Sequence, residues 1–277
     1  MRRGLGLHHL TFNELDPFDF VEVAAASGYD HVSLFTHIPR VPHAGREGMF
    51  AFPAVTPETQ REMLQRLDAN GLRVVGAEFF LMTQGADLPS YVAGLALGRE
   101  LGANHAVTHV FDLDRARAVD TLGAFSDLAA AQGLKVCIEF CQLTPGCRSI
   151  HDAAWFVEQV DRANVGVNIC PLHLIRSGGT AADIASLDAR YFLNGQINDG
   201  LGLHASSDYF AEVHDRELPG DGEFPLQQIL SALPAETPIE VKIPSARRRA
   251  VGRSVLEFAR DAGARSRALV DALQPGH

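Results

Sequence analysis

A thiol, an imidazole and a guanidinium follow one another closely in the segment "VNICPLHLIRSGG", residues 167–179. Cys170 and His173 are residue types that bind metal ions or transfer protons, and Arg176 can contact an anionic group. The cysteine also has a simpler interpretation, as a small buried side chain. The segment begins in an apolar run that is typical of a buried strand, so we expect these side chains to lie beside a strand end.

Charged residues also interrupt two other apolar segments, "LKVCIEF" and "PIEVKIP". Strand alternation places Glu139 on one face of the first segment, and Glu240 and Lys242 together on one face of the second. A buried carboxylate is costly unless it is paired, so Glu139 is expected to have a partner. An inward Glu–Lys pair could be a structural ion pair or part of a functional site.

Further polar side chains occur on other strand candidates: Gln196 in "FLNGQIND", Glu78, His109 and His8. A buried histidine is commonly a hydrogen-bonded core residue, but polar residues that converge from separate strands favour a functional pocket. The predicted catalytic residues are Glu139, Lys242, His173 and Glu78, and the predicted substrate-binding residues are Gln196, Arg176, Cys170 and His109.

Short apolar strand candidates alternate with helical patterns along the chain. The strand candidates are "LGLHHLTF", "HVSLFTHI", "LRVVGAEFFLM", "HAVTHVF", "LKVCIEF", "VGVNIC", "YFLNGQIND" and "TPIEVKIP". Eight such units predict a single (β/α)8 TIM-barrel domain over residues 1–277, with its site at the carboxyl ends of the strands. An open doubly wound sheet is the alternative, but no glycine-rich loop follows the first strand. The irregular stretch Val41–Pro53 is predicted to be a lid over the barrel mouth.

The composition excludes several classes of partner. The chain has 277 residues and a formal charge of -10, which argues against nucleic acids and anionic membrane surfaces. No apolar run is long enough to span a bilayer, and the four cysteines form no CxxC pair. We therefore expect a cytoplasmic protein that acts on a small molecule, and a homo-oligomer is possible.

The order of the segments "CIEF", "VNICPLHLIRSGG", "GQINDG", "ELPGDGEFPLQQIL" and "IEVKIP" resembles the xylose isomerase-like TIM barrels, the sugar phosphate isomerase/epimerase family. The resemblance implies a barrel enzyme that holds one divalent ion through a Glu, an Asp, a His or Gln, and a second Glu. In such a site the ion polarises a hydroxy-ketone while carboxylates move protons.

The match to that ligand set is partial. Glu139 corresponds to the first glutamate and Gln196 to the His/Gln ligand, whereas Cys170 replaces the aspartate and Lys242 the second glutamate. A fixed ammonium would repel a divalent ion, so we expect no metal and no other cofactor, with Lys242 partly replacing the charge of the ion. If a metal does bind, Mn, Mg or Zn held by Glu139, Gln196 and Glu240 is the alternative.

The predicted function is an isomerase or epimerase that acts through enol(ate) proton transfer on a small polyhydroxylated or hydroxy-keto compound. Lys242 could be structural, stabilise the enolate or form an imine. A dehydratase or lyase acting on a related hydroxy-keto acid and a non-catalytic barrel are the alternatives. An endonuclease IV-like repair enzyme is disfavoured by the acidic charge. Arg247, Arg248 and Arg249 either recognise an anionic substrate or simply begin a solvated helix.

Overall fold

Eight parallel strands form a closed barrel in the computed structural model, which describes residues 3–39 and 52–273. The strands are β1 (Leu5–His8), β2 (His31–Phe35), β3 (Arg73–Met82), β4 (His105–Val110), β5 (Lys135–Glu139), β6 (Val165–Ile169), β7 (Phe192–Ile197) and β8 (Ile239–Val241). Each strand pairs with the next along the chain, and β8 pairs with β1. The predicted (β/α)8 TIM barrel is therefore confirmed.

Helices follow the strands around the outside of the barrel. They are α1 (Pro17–Ala26), α2 (Gln60–Ala69), α3 (Leu88–Glu100), α4 (Arg115–Ala131), α5 (Ile150–Val160), α6 (Pro171–Arg176), α7 (Ala181–Ser186), α8 (Tyr209–His214), α9 (Leu226–Ser231), α10 (Ala246–Ala250) and α11 (Val255–Ala272). Local sequence sets their ends. In α1, Asp16 accepts a hydrogen bond from the amide of Phe18, and Gly28, with φ at 76°, follows the end of the helix.

The strands sort their side chains between two environments. Val136 and Ile138 of β5 are fully buried and belong to the main hydrophobic core, which lies between the barrel and the helices. Glu139 and Lys242 are buried as well, but they contact each other inside the barrel. This alternation positions polar groups at the barrel mouth while apolar neighbours hold the strands in place.

One boundary differs from the sequence prediction. The first strand ends at His8, and residues His9–Phe12 form a 3-10 helix instead. Helix α2 begins at Gln60 with Thr59 at its N-cap. His173 lies on the short helix α6, which follows β6. Most of the predicted lid Val41–Pro53 lies outside the described residues.

Candidate active site

The central feature of the barrel mouth is an ion pair between β5 and the end of β8. The Lys242 ammonium donates to both oxygens of Glu139, at 2.8 and 2.9 Å. Burial opposes the ionisation of Glu139, but Lys242 and then His173 outweigh it and hold the pKa of this carboxyl well below its usual range. Burial likewise opposes the charge on Lys242, but Glu139 outweighs it and raises the lysine pKa. The pair is therefore a fixed cation and a fixed anion, which disfavours the imine role of Lys242.

His173 of helix α6 lies on the other side of Glu139. Its Nε2 is 3.2 Å from Glu139 Oε1, and its Nδ1 is 2.5 Å from the hydroxyl of Tyr209 on α8. Burial opposes protonation of His173, but Cys170 and Glu139 outweigh it and raise the pKa of the imidazole. The ring therefore has a partner at each nitrogen, and its raised pKa favours the protonated form.

Cys170 lies behind this histidine and is 1% exposed. Its sulfur accepts from Asn198 Nδ2 at 3.3 Å and from Arg216 Nη1 at 3.5 Å. Burial alone raises the pKa of a thiol, but His173 and Arg216 outweigh it here and lower the pKa of Cys170 to about 6. The sulfur does not line the cavity described below, so it influences the site mainly through its charge.

A second carboxyl, Glu78 of β3, lies beside His8 of β1. The His8 Nε2 and Glu78 Oε1 atoms are 3.2 Å apart but do not form a hydrogen bond. Neither atom has a hydrogen-bond partner among the described residues. Burial raises the pKa of Glu78 to about 8, and burial lowers that of His8 to about 3. His8 Nδ1 accepts from the amide of Leu10, so the neutral ring carries its hydrogen on Nε2.

These groups surround a cavity of about 380 Å³, which is within the size range of ligand pockets. Its polar wall contains Glu78, Glu139, His173, Lys242 and His109. His109 Nε2 is 3.8 Å from Glu139 Oε2, and its Nδ1 is buried without a partner. The barrel therefore brings the four predicted catalytic residues and His109 together around one cavity.

The predicted ligand Gln196 does not line this cavity. Its Nε2 donates to Glu240 Oε1 at 3.0 Å, and Asn194 Nδ2 donates to the same oxygen at 2.9 Å. Ser33 donates to the other Glu240 oxygen at 2.6 Å. Because Glu240 precedes Lys242 by two residues on β8, this polar group lies one pleat further from the barrel mouth.

The arginines that the sequence indicated are directed elsewhere. Arg176 is 4% exposed and donates to Glu212 and to the carbonyls of Leu201, Gly202 and His204. Arg247 pairs with Asp215 and Glu217, while Arg248 and Arg249 pair with Glu14. None of the four arginines lines the cavity, so their roles in substrate or anion binding stay predictions.

Several residues of the site were not predicted from the sequence. Arg216 lines the wall, donates through Nη1 to the carbonyl of Lys242 at 3.1 Å, and leaves its buried Nη2 without a partner among the described residues. Tyr209 holds His173 from a helix far away in sequence, and no motif around it signals that role. The third group is an apolar wall whose phenylalanines lie on β2, β3 and α8 and in the segments that follow β2 and β4.

The described residues include two clusters whose possible ligand atoms lie within 4.8 Å of one another. These are Glu139, Cys170 and His173, and His8, Glu78 and Glu240. The first has donor types that zinc accepts, but both Glu139 oxygens already bind the Lys242 ammonium. The Lys242 ammonium on Glu139 therefore makes the first cluster a poor fit for a divalent ion. In the alternative set of Glu139, Gln196 and Glu240, the Gln196 amide nitrogen donates to Glu240 and the Gln196 Oε1 is buried without a hydrogen-bond partner among the described residues, so this set stays a prediction.

Comparison with known proteins defines the class of this barrel. The profile of the xylose isomerase-like TIM barrel family matches residues 21–262, and the chain belongs to that family. The resemblance of the strand-end segments is thereby confirmed. No curated protein matches the chain.

Similar solved structures support the same fold. The IolI protein with a bound zinc atom has a TM-score of 0.79 at 17% identity, covering 99% of this chain and 100% of its own. The probable 3-DHS dehydratase AsbF from Bacillus anthracis has a TM-score of 0.71 at 16% identity, covering 100% of both chains. A D-psicose 3-epimerase has a TM-score of 0.70 at 15% identity, covering 96% of this chain and 99% of its own. Identities this low establish the architecture alone.

The helices were also compared with the length and hydropathy that a bilayer span requires. Within residues 3–39 and 52–273, no helix is long and apolar enough to cross a membrane.

Proposed function

We propose that this barrel is an isomerase or epimerase that acts on a small hydroxy-carbonyl compound through an enolate, without a divalent ion. The observation that carries the proposal is the Lys242 ammonium, fixed by both Glu139 oxygens on the wall of the cavity. A cation held in advance where negative charge develops lowers the barrier to enolate formation. The D-psicose 3-epimerase that shares the fold adds support for this reaction class.

In this proposal Glu78 moves the proton. A carboxyl with a pKa of about 8 is a stronger base, once ionised, than an ordinary glutamate. Its carboxylate removes a proton from the carbon next to the substrate carbonyl, the C–H electron pair forms a C=C bond, and the carbonyl electrons move to oxygen. Lys242 holds that oxygen as the enolate. Return of the proton to the same carbon gives exchange or an epimer, and return to the former carbonyl carbon gives the isomer.

Glu139 and His173 have supporting roles. Glu139 has a lowered pKa and two contacts to Lys242, so it is a weak base and mainly fixes the ammonium. His173 lies on the cavity wall with a raised pKa, and we assign it the proton transfer between the two substrate oxygens during isomerisation. The pKa of Glu78 is raised and that of Glu139 is lowered. We therefore assign Glu78 as the base and Glu139 as the carboxylate that fixes the ammonium.

Solvent-deuterium exchange tests the proposal. The protein is incubated in D₂O with ketoses, inososes, hydroxy-keto acids and simple α-hydroxyketones, and loss of the α-proton signal is followed by NMR. We expect exchange with at least one compound, and its loss in Glu78→Gln and in Glu139→Gln. The matched control is Glu62→Gln, because Glu62 lies on the surface of α2 away from the cavity. Binding without exchange for every compound would favour the non-catalytic barrel.

The metal-free part of the proposal has its own test. We expect exchange to persist after treatment with a chelator, and purified protein to hold far less than one divalent ion per chain. We also expect Lys242→Glu to bind zinc more tightly than the natural protein, because the substitution removes the repelling charge and adds a ligand. One tightly held ion per chain, with activity that follows it, would overturn this part.

A dehydratase is the second candidate, since the probable 3-DHS dehydratase AsbF shares the fold. When the substrate carries a hydroxyl group on the carbon next to the deprotonated one, the enolate electrons re-form the carbonyl, a C=C bond forms to that carbon and its C–O bond breaks. In this route His173 supplies the proton with which the hydroxyl group leaves as water. Product analysis separates the two activities, because elimination yields an unsaturated ketone and water whereas isomerisation conserves the substrate mass.

A further inference from the structure

We infer that the substrate carries an aromatic ring, which binds against a wall of phenylalanines while its hydroxy-carbonyl group reaches Lys242. This inference rests on the proposed function and specifies its substrate class. A polyhydroxylated sugar requires hydrogen-bonding partners around its whole surface, whereas large apolar side chains form much of the lining of this cavity.

The apolar lining of the cavity is extensive. Eight of the cavity-lining residues are large apolar side chains: Leu10, Phe35, Phe52, Phe79, Leu81, Phe111, Leu143 and Phe210. Phe35 and Phe52 stack with ring centroids 4.9 Å apart, and Phe79 meets Phe35 edge-on at 6.1 Å. Sugar hydroxyls placed against such a surface would lose hydrogen bonds to water without replacement.

This wall is separate from the structural core. Phe35, Phe79 and Leu81 form a buried apolar cluster of their own, with Leu10, Phe52 and Phe111 among the residues packed against it. The main core contains none of these residues and lies elsewhere in the barrel. Because the cluster surrounds the cavity instead of filling the space between strands and helices, binding is the simplest explanation for its aromatic content.

Polar residues of the cavity adjoin the wall. Phe79 meets the His109 ring edge-on at 5.9 Å, and Phe35 meets His8 edge-on at 6.1 Å. Buried polar atoms without partners among the described residues, His8 Nε2, His109 Nδ1 and Arg216 Nη2, belong to side chains that line the same cavity. The arrangement fits a ligand with one flat apolar end and one end rich in oxygen.

Matched ligands test the ring directly. Binding of 2-hydroxyacetophenone, cyclohexyl hydroxymethyl ketone, hydroxyacetone and a ketopentose is measured by titration calorimetry, and exchange of each in D₂O by NMR. All four contain a hydroxy-ketone, and they differ in the group attached to it. We expect the phenyl compound to bind roughly tenfold or more tightly than hydroxyacetone and the ketopentose, and more tightly than the cyclohexyl compound.

A wall variant makes the test specific. Phe111→Ala, at a half-buried position, is expected to weaken binding of the phenyl compound roughly tenfold and to change hydroxyacetone binding less than twofold. Phe18→Ala is the matched control, because Phe18 is also half-buried but packs under Arg66 outside the cavity.

The outcomes separate the two proposals. Tighter binding of the ketopentose or hydroxyacetone, or no binding of the phenyl compound, overturns the aromatic inference even if exchange is observed. Equal binding of the phenyl and cyclohexyl compounds overturns the aromatic part and leaves an apolar group. Tight binding of the phenyl compound with no exchange for any ligand supports the ring and overturns the proposed function.

Discussion

Two glutamates inside this barrel have opposite surroundings. Glu240 accepts hydrogen bonds from a serine and two amides, all neutral donors, and does not line the cavity. Glu139 accepts from a lysine cation, lies beside two histidines and faces the cavity. Both side chains are fully buried, so burial by itself does not distinguish a structural carboxylate from one in a reactive site.

The difference lies in what each carboxylate can influence. The neutral donors around Glu240 fix the strands of the barrel, and no ligand reaches them through the described cavity. The charge on Lys242, fixed by Glu139, remains available to a ligand oxygen on the cavity side. A carboxylate that positions a cation on a cavity wall is therefore a better candidate for a functional residue than one whose oxygens accept only from neutral groups.

The largest expected effect comes from removing the cation at the mouth. Lys242→Met should reduce the exchange rate by about 10²–10³-fold, a loss comparable with that of an oxyanion-stabilising donor. It should also destabilise the fold by about 3–5 kcal/mol, because Glu139 is left buried without its partner. Exchange rates by NMR and urea unfolding measure the two effects.

A second substitution separates these two losses. Adding Glu139→Gln to Lys242→Met removes the unpaired charge and should restore most of the stability without restoring exchange. Recovery of exchange in the double variant would contradict the assigned role of the ammonium.

The next effect concerns pH and Glu78. Its pKa of about 8 means that the basic form increases as pH rises through 8, so the exchange rate should rise and then level off. Glu78→Gln should lower exchange roughly 10²-fold and abolish the rise. A rate that falls as pH increases from 6 to 9 in the natural protein would contradict the assignment of Glu78 as the base.

The raised pKa of Glu78 also makes the stability of the fold depend on pH. Between the ordinary glutamate pKa and about 8, the folded protein keeps a proton at Glu78 that the unfolded chain has released. The contribution of Glu78 to the free energy of unfolding therefore decreases as pH rises across this window. Unfolding curves of the natural protein and Glu78→Gln, measured at several pH values, should converge at low pH and differ at high pH.

Substitution of Glu240, the carboxylate deeper in the barrel, should affect stability more than exchange. Glu240→Gln introduces an amide NH₂ donor beside the amides of Asn194 and Gln196, which already donate to this position. The substitution should lower the free energy of unfolding by about 1–3 kcal/mol, while the exchange rate changes less than threefold. Thermal unfolding and NMR exchange test both parts. A large loss of exchange in a protein of normal stability would show that the deeper group takes part in the reaction.

A modest effect on the reaction is expected from the positioning of His173. Tyr209→Phe removes the hydroxyl that lies 2.5 Å from Nδ1 and should slow the reaction about fivefold, as expected for one hydrogen bond of about 1 kcal/mol. The histidine titration, followed by NMR, should shift in the same variant. An unchanged titration together with an unchanged rate would remove Tyr209 from the site.

Much of the architecture could be predicted from the sequence because it depends on local patterns. Alternating apolar strands and capped helices indicated the barrel, and the alternation within β5 and β8 directed Glu139, Glu240 and Lys242 inward. The same patterns could not show which inward groups meet. Gln196 was predicted at the mouth but bonds to Glu240 deeper in the barrel, because the register of β7 on β8 sets Gln196 opposite Glu240.

The sequence by itself determined the barrel and the residue types inside it, since strand periodicity and the cost of burying charge act over a few neighbouring residues. Only the tertiary structure decided that Lys242 pairs with Glu139, which is 103 positions away, and not with Glu240 on its own strand. It also decided that Arg176 bonds to loop carbonyls and that phenylalanines from separate elements line one cavity. Closure of the barrel makes these contacts, and closure depends on all eight strands at once.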